Sequence, residues 1–191
     1  MNAHRRRSAL ALPLALALVA GCGYNTIQTM DEKVNAAESQ IKVQLQRRAD
    51  LIPNLVETVK GYAKQEQTIF IQVADARAKL AGAVQSGDLQ QMAAANAALT
   101  APLGRLIAIA ENYPQLKSNE NFRQLQDQLE GTENRIAVAR QDYNESVNAY
   151  NAYIRRFPQV LTAKVLGKKP RAYFELQTPG AAETPKVDFS H

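Results

Sequence analysis

One cysteine, Cys22, and two histidines, His4 and His191, are the residues of this 191-residue chain whose types most often carry chemistry. A lone thiol can be a nucleophile, a metal ligand, a redox sensor or a covalent anchor. Its neighbours discriminate among these roles. Residues 1–21 read MNAHRRRSALALPLALALVAG. Arg5, Arg6 and Arg7 make a basic start, and residues 9–20 make an apolar stretch interrupted only by Pro13. That run is far shorter than the ~20 apolar residues needed to cross a bilayer core. Its length and flanks are those of a secretory signal.

Val19, Ala20 and Gly21 shrink in size toward the thiol, as a peptidase site requires, and Val-Ala-Gly-Cys resembles the bacterial lipoprotein box. In that box cleavage falls between Gly21 and Cys22, and the cysteine is acylated, with palmitate among the chains. An ordinary signal peptide ending near a cysteine is the alternative. An exported chain would normally pair its cysteines, and here no second one exists. The anchor is therefore the expected role of Cys22. Gly23 beside it, in place of an aspartate, points to an outer membrane facing the periplasm in a Gram-negative host.

The remaining chemistry is sparse. His4 lies in the signal and His191 is the last residue, so the intervening domain lacks the commonest general base and zinc ligand. Glu111 and Glu133 could share a metal, but no Glu-x-x-His pair supports a bundle di-iron site. No glycine-rich loop opens a helix to cradle phosphate. No catalytic residue, metal site or cofactor is expected. The formal charge of +5 falls by three, to about +2, when Arg5, Arg6 and Arg7 leave with the signal. Lysines and arginines interleave with acids and form no stripe on one face, so nucleic acid is not an expected partner.

Stepping from residues to elements, the apolar spacing is helical almost throughout. From Phe122, positions Leu125, Leu129, Thr132, Ile136, Ala139, Tyr143, Val147, Tyr150, Ile154 and Phe157 alternate steps of three and four, a coiled-coil seam. This predicts a helix over 118–157, capped by Ser118 and stopped by Pro158. A second seam runs Leu89, Met92, Asn96, Leu99, Leu103, Leu106, Ala110 and Tyr113. Asp88 caps it, and Pro102 predicts a kink or a restart at Thr100. A third runs from Ile27 through Met30, Val34, Ala37, Ile41, Leu45, Arg48, Ile52, Leu55, Val59, Tyr62, Glu66, Ile69, Val73 and Ala76 to Leu80. One helix of that length would outrun its partners, so a break is predicted at RADLIPN, where Pro53 opposes the Ala49 carbonyl; Gly61 is the second choice. The result is an all-α antiparallel bundle of three to four main helices. Residues 1–21 are signal, 22–159 bundle and 160–191 a mostly irregular, disordered tail.

Three polar features stand out on this frame. Glu66 and Arg48 fall on a seam and Arg140 lies beside one, so each must be paired or at a rim. A structural ion pair between Glu66 and Arg140 is expected to fix register, with a polar ligand groove as the alternative. Tyr143, Tyr150 and Phe157, seven apart, read as aromatic core, or else as the lining of a groove. Asn144, Asn148 and Asn151 read as a polar flank, and the sequon Asn144-Glu145-Ser146 carries little meaning in a bacterial lipoprotein. Lys168, Lys169 and Arg171 read as a solvated basic cluster lending modest help at an anionic surface.

Two long stretches resemble a known family. YNTIQTMDEKVNAAESQIKVQLQRRADLIPNLVETVKGYAKQE (24–66) is similar to the opening of the LemA family, and ENYPQLKSNENFRQLQDQLEGTENRIAVARQDYNESVNAYNAYIRRFP (111–158) to its closing half. The resemblance runs from Tyr24 to about Glu175. Its ordered signatures are Arg-Arg-x-Asp-Leu-Ile-Pro-Asn-Leu, Glu-x-Tyr-Pro, Thr-Glu-x-x-Ile-Ala-x-Ala-Arg and the Tyr-Asn pairs at 143–144 and 150–151. It implies a helical bundle tethered near its N-terminus, and it implies no reaction. Many members keep an uncleaved apolar helix, whereas this chain carries the lipoprotein box. The expectation is a non-catalytic module held to a membrane of the bacterial envelope through acylated Cys22, with an unidentified envelope protein as partner. Direct organisation or remodelling of the membrane is the alternative, and a ligand carrier or enzyme the third reading. The sequence leaves the oligomeric state open.

Overall fold

A computed structural model describes residues 23–175, so Cys22, the cleavage site and the signal at one end, and 176–191 at the other, lie outside the described residues. The described chain is all-α: α1 Tyr24–Lys60, α2 Gln67–Ser86, α3 Leu89–Glu111, α4 Pro114–Lys117, α5 Glu120–Arg155 and α6 Gln159–Val165. Four are long and two are short. The described chain divides into two compact units, one of 23–40 with Ala139–Tyr173 and one of Ile41–Val138 with 174–175.

In the second unit the three seams close into one core. Ile41, Leu45, Ile52, Leu55 and Val59 of α1 are buried, as are Ile69, Val73 and Leu80 of α2, Met92, Leu99 and Leu106 of α3, and Phe122, Leu129 and Ile136 of α5. Each such side chain contributes about 1.5–3 kcal/mol on leaving water. Arg135 Nε donates to Gln44 Oε1 at 3.2 Å, and Asn119 Nδ2 to the Tyr62 hydroxyl at 3.3 Å. The first pair joins α1 to α5 and the second joins a residue just past α1's end to the one just before α5's start, so these helices run antiparallel. The turn between α2 and α3 takes two residues: Gly87 leaves α2 with φ 72°, a conformation only glycine adopts without strain, and Asp88 caps α3 by accepting from the Gln90 and Gln91 amides at 2.8 and 3.1 Å.

Neither proline breaks its helix. α1 runs through Pro53 and α3 through Pro102. Pro53 has no N–H, which leaves the Ala49 carbonyl without its usual i+4 donor. Arg77 of α2 fills the vacancy, its Nε donating to the Ala49 oxygen at 3.2 Å. Buried Ala49, Ile52 and Leu55 hold α1 in place on both sides. The break falls instead at 61–66, the second-choice site, where Tyr62 and Glu66 turn out to solvent and the seam resumes at Ile69. Thr100 does not restart α3; its hydroxyl donates back to the Asn96 carbonyl at 3.3 Å. The cap of α5 is Asn119, which accepts the Phe122 amide at 3.1 Å, because Ser118 is taken up in ending α4.

The first unit packs Ile27 and Val34 of α1 with Tyr143, Val147, Tyr150 and Ile154 of α5, all buried. Phe157 departs from the expected aromatic stripe. α5 ends at Arg155, and the Phe157 ring is 79% exposed. Of the expected mostly irregular tail, residues 160–165 are helical and 166–175 are not, while 176–191 lie outside the described residues. α6 buries Thr162 and Ala163, and the segment after it is tied to α1 and α5.

Candidate functional site

The first unit holds the densest polar network among the described residues, and Asp31 is its centre. Its carboxylate accepts from Lys168 Nζ at 2.6 Å and from Arg171 Nη2 at 2.9 Å, with Arg171 Nε at 3.3 Å. Arg171 Nη2 also reaches Asn35 Oδ1 at 2.8 Å. Asn151 clamps the backbone of the same residue, donating from Nδ2 to the Arg171 carbonyl at 2.9 Å and accepting its N–H at 2.8 Å. The Tyr143 hydroxyl donates to the Ala172 carbonyl at 2.9 Å. Residues 168–173 are thus a strap held by backbone bonds from Arg171 and Ala172 to α5 and from Lys168 to Ala163 of α6, with Lys168 and Arg171 reaching α1. Burial would raise the Asp31 pKa, but the hydrogen bonds and charges of Lys168 and Arg171 outweigh it and hold the carboxyl below its ordinary value. The hydrogen bond from Arg171 to Asp31 raises the arginine in return. Burial, with the charge of Glu38, pushes the Tyr143 phenol up. Lys168 and Arg171, expected to be solvated, are the strap's fasteners, while Lys169 is exposed.

The first described residue, Gly23, is closely packed. A side chain built on Gly23 would meet the Tyr153 hydroxyl at 3.0 Å and Gln159 Cγ at 3.2 Å, and φ at Gly23 is 111°. The residue that follows Cys22 is therefore seated against the end of α5 and the start of α6.

The second unit carries the buried seam charge. The Arg48 guanidinium, 4% exposed, donates through Nη1 to Asn96 Oδ1 of α3 and pairs with the Glu133 carboxylate of α5. Burial pushes its pKa below the ordinary value, and Glu133 opposes that. Glu133 is thus engaged by a cation, while Glu111, its imagined metal partner, is exposed. Among the described residues no group of three or more His, Cys, Asp and Glu could hold a metal ion. The seam pair expected between Glu66 and Arg140 is corrected on its first member. Glu66 is exposed in the turn before α2, at the helix's entry position without a side-chain cap bond, so it is no buried seam charge. Arg140 is half-buried on α5. The register tie is Arg48 with Asn96 and Glu133.

Two open clefts flank α1 and α2 in the second unit. The larger, about 550 Å³, is lined by Val56, Phe70 and Ile71 and rimmed by Lys60 and Lys64, with Lys60 Nζ 5.7 Å from the Phe70 ring centre. Its ionisable lining groups are the amines of Lys60, paired with Glu57, and Lys64. α3 is long and apolar enough to cross a membrane by length and composition alone, yet it packs on α2 and buries Asn96 against Arg48. That is the pattern of a bundle helix.

One signal was available in the sequence and missed. Residues 146–174 contain six cations, Arg155, Arg156, Lys164, Lys168, Lys169 and Arg171, and no acid. The charges of this segment do not interleave.

Fold and polar centres together define a helical bundle whose least exposed charges, at Asp31 and Arg48, are tied internally. The chain belongs to the LemA family, whose pattern it matches over residues 37–189. It is 31% identical over 189 residues to the magnetosome proteins MamQ 1 and MamQ 2 of Paramagnetospirillum magneticum, in alignments covering 86% of this chain and 68% of each relative. To the magnetosome protein MamQ of Magnetospirillum gryphiswaldense it is 29% identical over 187 residues, with the same coverage.

Proposed function

We propose that this chain is a lipid-anchored, non-catalytic scaffold of the bacterial envelope, held by acylated Cys22 and binding a partner protein through its bundle. The observation that carries the reading is the sequence Leu-Val-Ala-Gly-Cys at 18–22, with the chain's one cysteine at its end, two residues before the first described helix. A thiol that close to the first described helix tethers the bundle with almost no slack. The polar centres support a non-catalytic role: Asp31, Arg48 and Glu133 are each engaged by another side chain. The relatives are named for a bacterial structure, the magnetosome, and not for a reaction. Gly23 after the anchor favours the periplasmic face of an outer membrane.

The test is intact mass and membrane fractionation of the native protein beside Cys22→Ser. Cleavage after Gly21 with added acyl chains, together with release of the variant from membranes, is the expected result. An uncleaved or unacylated chain overturns the reading. Direct remodelling of the membrane is a second reading, favoured by exposed apolar side chains at Phe157 and Val165. Vesicles carrying the acylated protein keep their shape under the scaffold reading and form tubules under this one.

A further inference from the structure

The short helix α6 is built the wrong way round for a solvated surface. Thr162 and Ala163 point inward and are buried, while Leu161 and Val165, four apart on the opposite side, are 45% and 82% exposed. Phe157, four residues before Leu161, adds a ring that is 79% exposed, and Tyr24 at the start of α1 is 45% exposed. A single exposed leucine needs no explanation, but Leu161 and Val165 on one side of α6, with the exposed Phe157 side chain in the turn just before that helix, make an apolar group that marks an interaction surface.

Its rim is one sign of charge. Arg155, Arg156, Lys164 and Lys169 are exposed, and no acid occurs between Glu145 and Glu175. The nearest acid of α1 in this unit, Asp31, is consumed by Lys168 and Arg171. Apolar side chains framed by unpaired cations match an anionic bilayer surface, where the cations meet headgroups and the apolar groups enter the headgroup–acyl boundary. The position of Gly23 selects the same occupant. Gly23 rests on Gln159, the first residue of α6, so whatever holds Cys22 lies within one residue of this helix.

We propose that the face formed by Phe157, Leu161 and Val165, with its basic rim, seats on the anionic bilayer into which the Cys22 acyl chains insert. This rests on acylation of Cys22 and goes beyond it. The acyl chains hold Cys22 at the bilayer, and the face adds a second contact that strengthens and orients the attachment. Each rim cation adds about fivefold in affinity near an anionic surface. The contact also fixes which end of the first unit faces the lipid.

The experiment uses the full, acylated protein. Its native thiol is blocked by lipid, so Val165→Cys supplies the one free thiol for an environment-sensitive dye. Asp142→Cys, exposed on α5 about 20 Å along the helix from Arg155, is the control. In vesicles of phosphatidylglycerol and phosphatidylethanolamine, the Val165 dye shifts to the blue and is quenched by lipid spin-labelled near the headgroup; the Asp142 dye is not. The paired change Phe157→Ser with Val165→Ser, on exposed positions, lowers binding of the unacylated Cys22→Ser chain to the same vesicles at least tenfold. Reversing Arg155, Arg156 and Lys164 to glutamate abolishes the preference for these vesicles over phosphatidylcholine. An acylated protein whose Val165 dye stays in water overturns the proposal and leaves the anchor standing. A mass showing no acyl chain overturns both.

Discussion

The bond between Arg77 and Ala49 makes a sharp prediction, because it explains how a proline survives in the middle of a 37-residue helix. Ala49 is fully buried, and its carbonyl has lost the N–H that residue 53 would normally supply. A buried acceptor left without a donor costs about 1–3 kcal/mol. Arg77 is half-buried, so water can replace part of what it gives, and the lower half of that range applies. Arg77→Met, which keeps most of the apolar stem, should therefore destabilise by about 1–2 kcal/mol. For a chain of this size that is a fall of roughly 2–8 °C in melting temperature.

Pro53→Ala restores the backbone donor to the same carbonyl, so Arg77 should become dispensable. In the Pro53→Ala background Arg77→Met should cost under ~0.5 kcal/mol, a coupling of about 1 kcal/mol between two residues on different helices. The assay is urea unfolding of the unacylated Cys22→Ser chain, followed by far-ultraviolet circular dichroism for all four members of the cycle. Additive effects would refute the reasoning, since they would mean that Arg77 acts through packing or through some other acceptor.

Three further outcomes follow from the same geometry. Glu133→Ala, which strands the buried Arg48 charge, should cost about 3 kcal/mol, whereas Arg48→Met leaves a half-exposed carboxylate that water can solvate and should cost less; thermal melts of both variants check the order. Asp31 has a folded-state pKa below its ordinary 3.8, so the strap's stabilisation is fully present above that value and is lost as pH falls through the lowered one; the stability gap between wild type and Asp31→Asn should close on acidification below about pH 4 and stay constant from pH 5 to 7. Gly87→Ala forces a Cβ into φ 72° and should cost about 1 kcal/mol by melting, because the nearest atom, the Lys42 amine at 3.5 Å, is at ordinary contact distance and adds little to the backbone strain.

The helices were legible because burial repeats. Every third or fourth position from Ile27 to Val59, from Met92 to Ala110 and from Leu129 to Ile154 had to face a core, and most do. Breaks were less legible, because a proline signals only a missing donor. Whether the helix ends there depends on what the orphaned carbonyl finds, and at Ala49 the donor comes from a residue 28 positions away. At 61–66 the backbone makes local bonds, Gly61 to Glu57 and Ala63 to Val59, and a glycine with exposed neighbours let it turn. The Glu66 assignment failed for the same reason: heptad counting carried across a turn assigns a seam position to a residue that no longer lies on a helix.

The strap was illegible for a different reason. Residues 168–173 have no periodicity, and order in such a segment comes from specific partners: Asn151 for its backbone, Asp31 and Asn35 for its cations. None of those partners is marked by spacing. Yet the strap decides the character of the surface around it. By drawing Lys168 and Arg171 onto Asp31, it removes the only acid that α1 offers among residues 24–31, and it leaves the remaining cations of the segment outward and unopposed. Asp31→Asn should therefore loosen the strap and also free two cations beside α6. If the basic rim is what meets the bilayer, that variant, measured above pH 5 where it still folds, should bind anionic vesicles at least as well as the wild type while melting earlier. Loss of binding in parallel with stability would show instead that the strap's geometry, not its charge, shapes the surface.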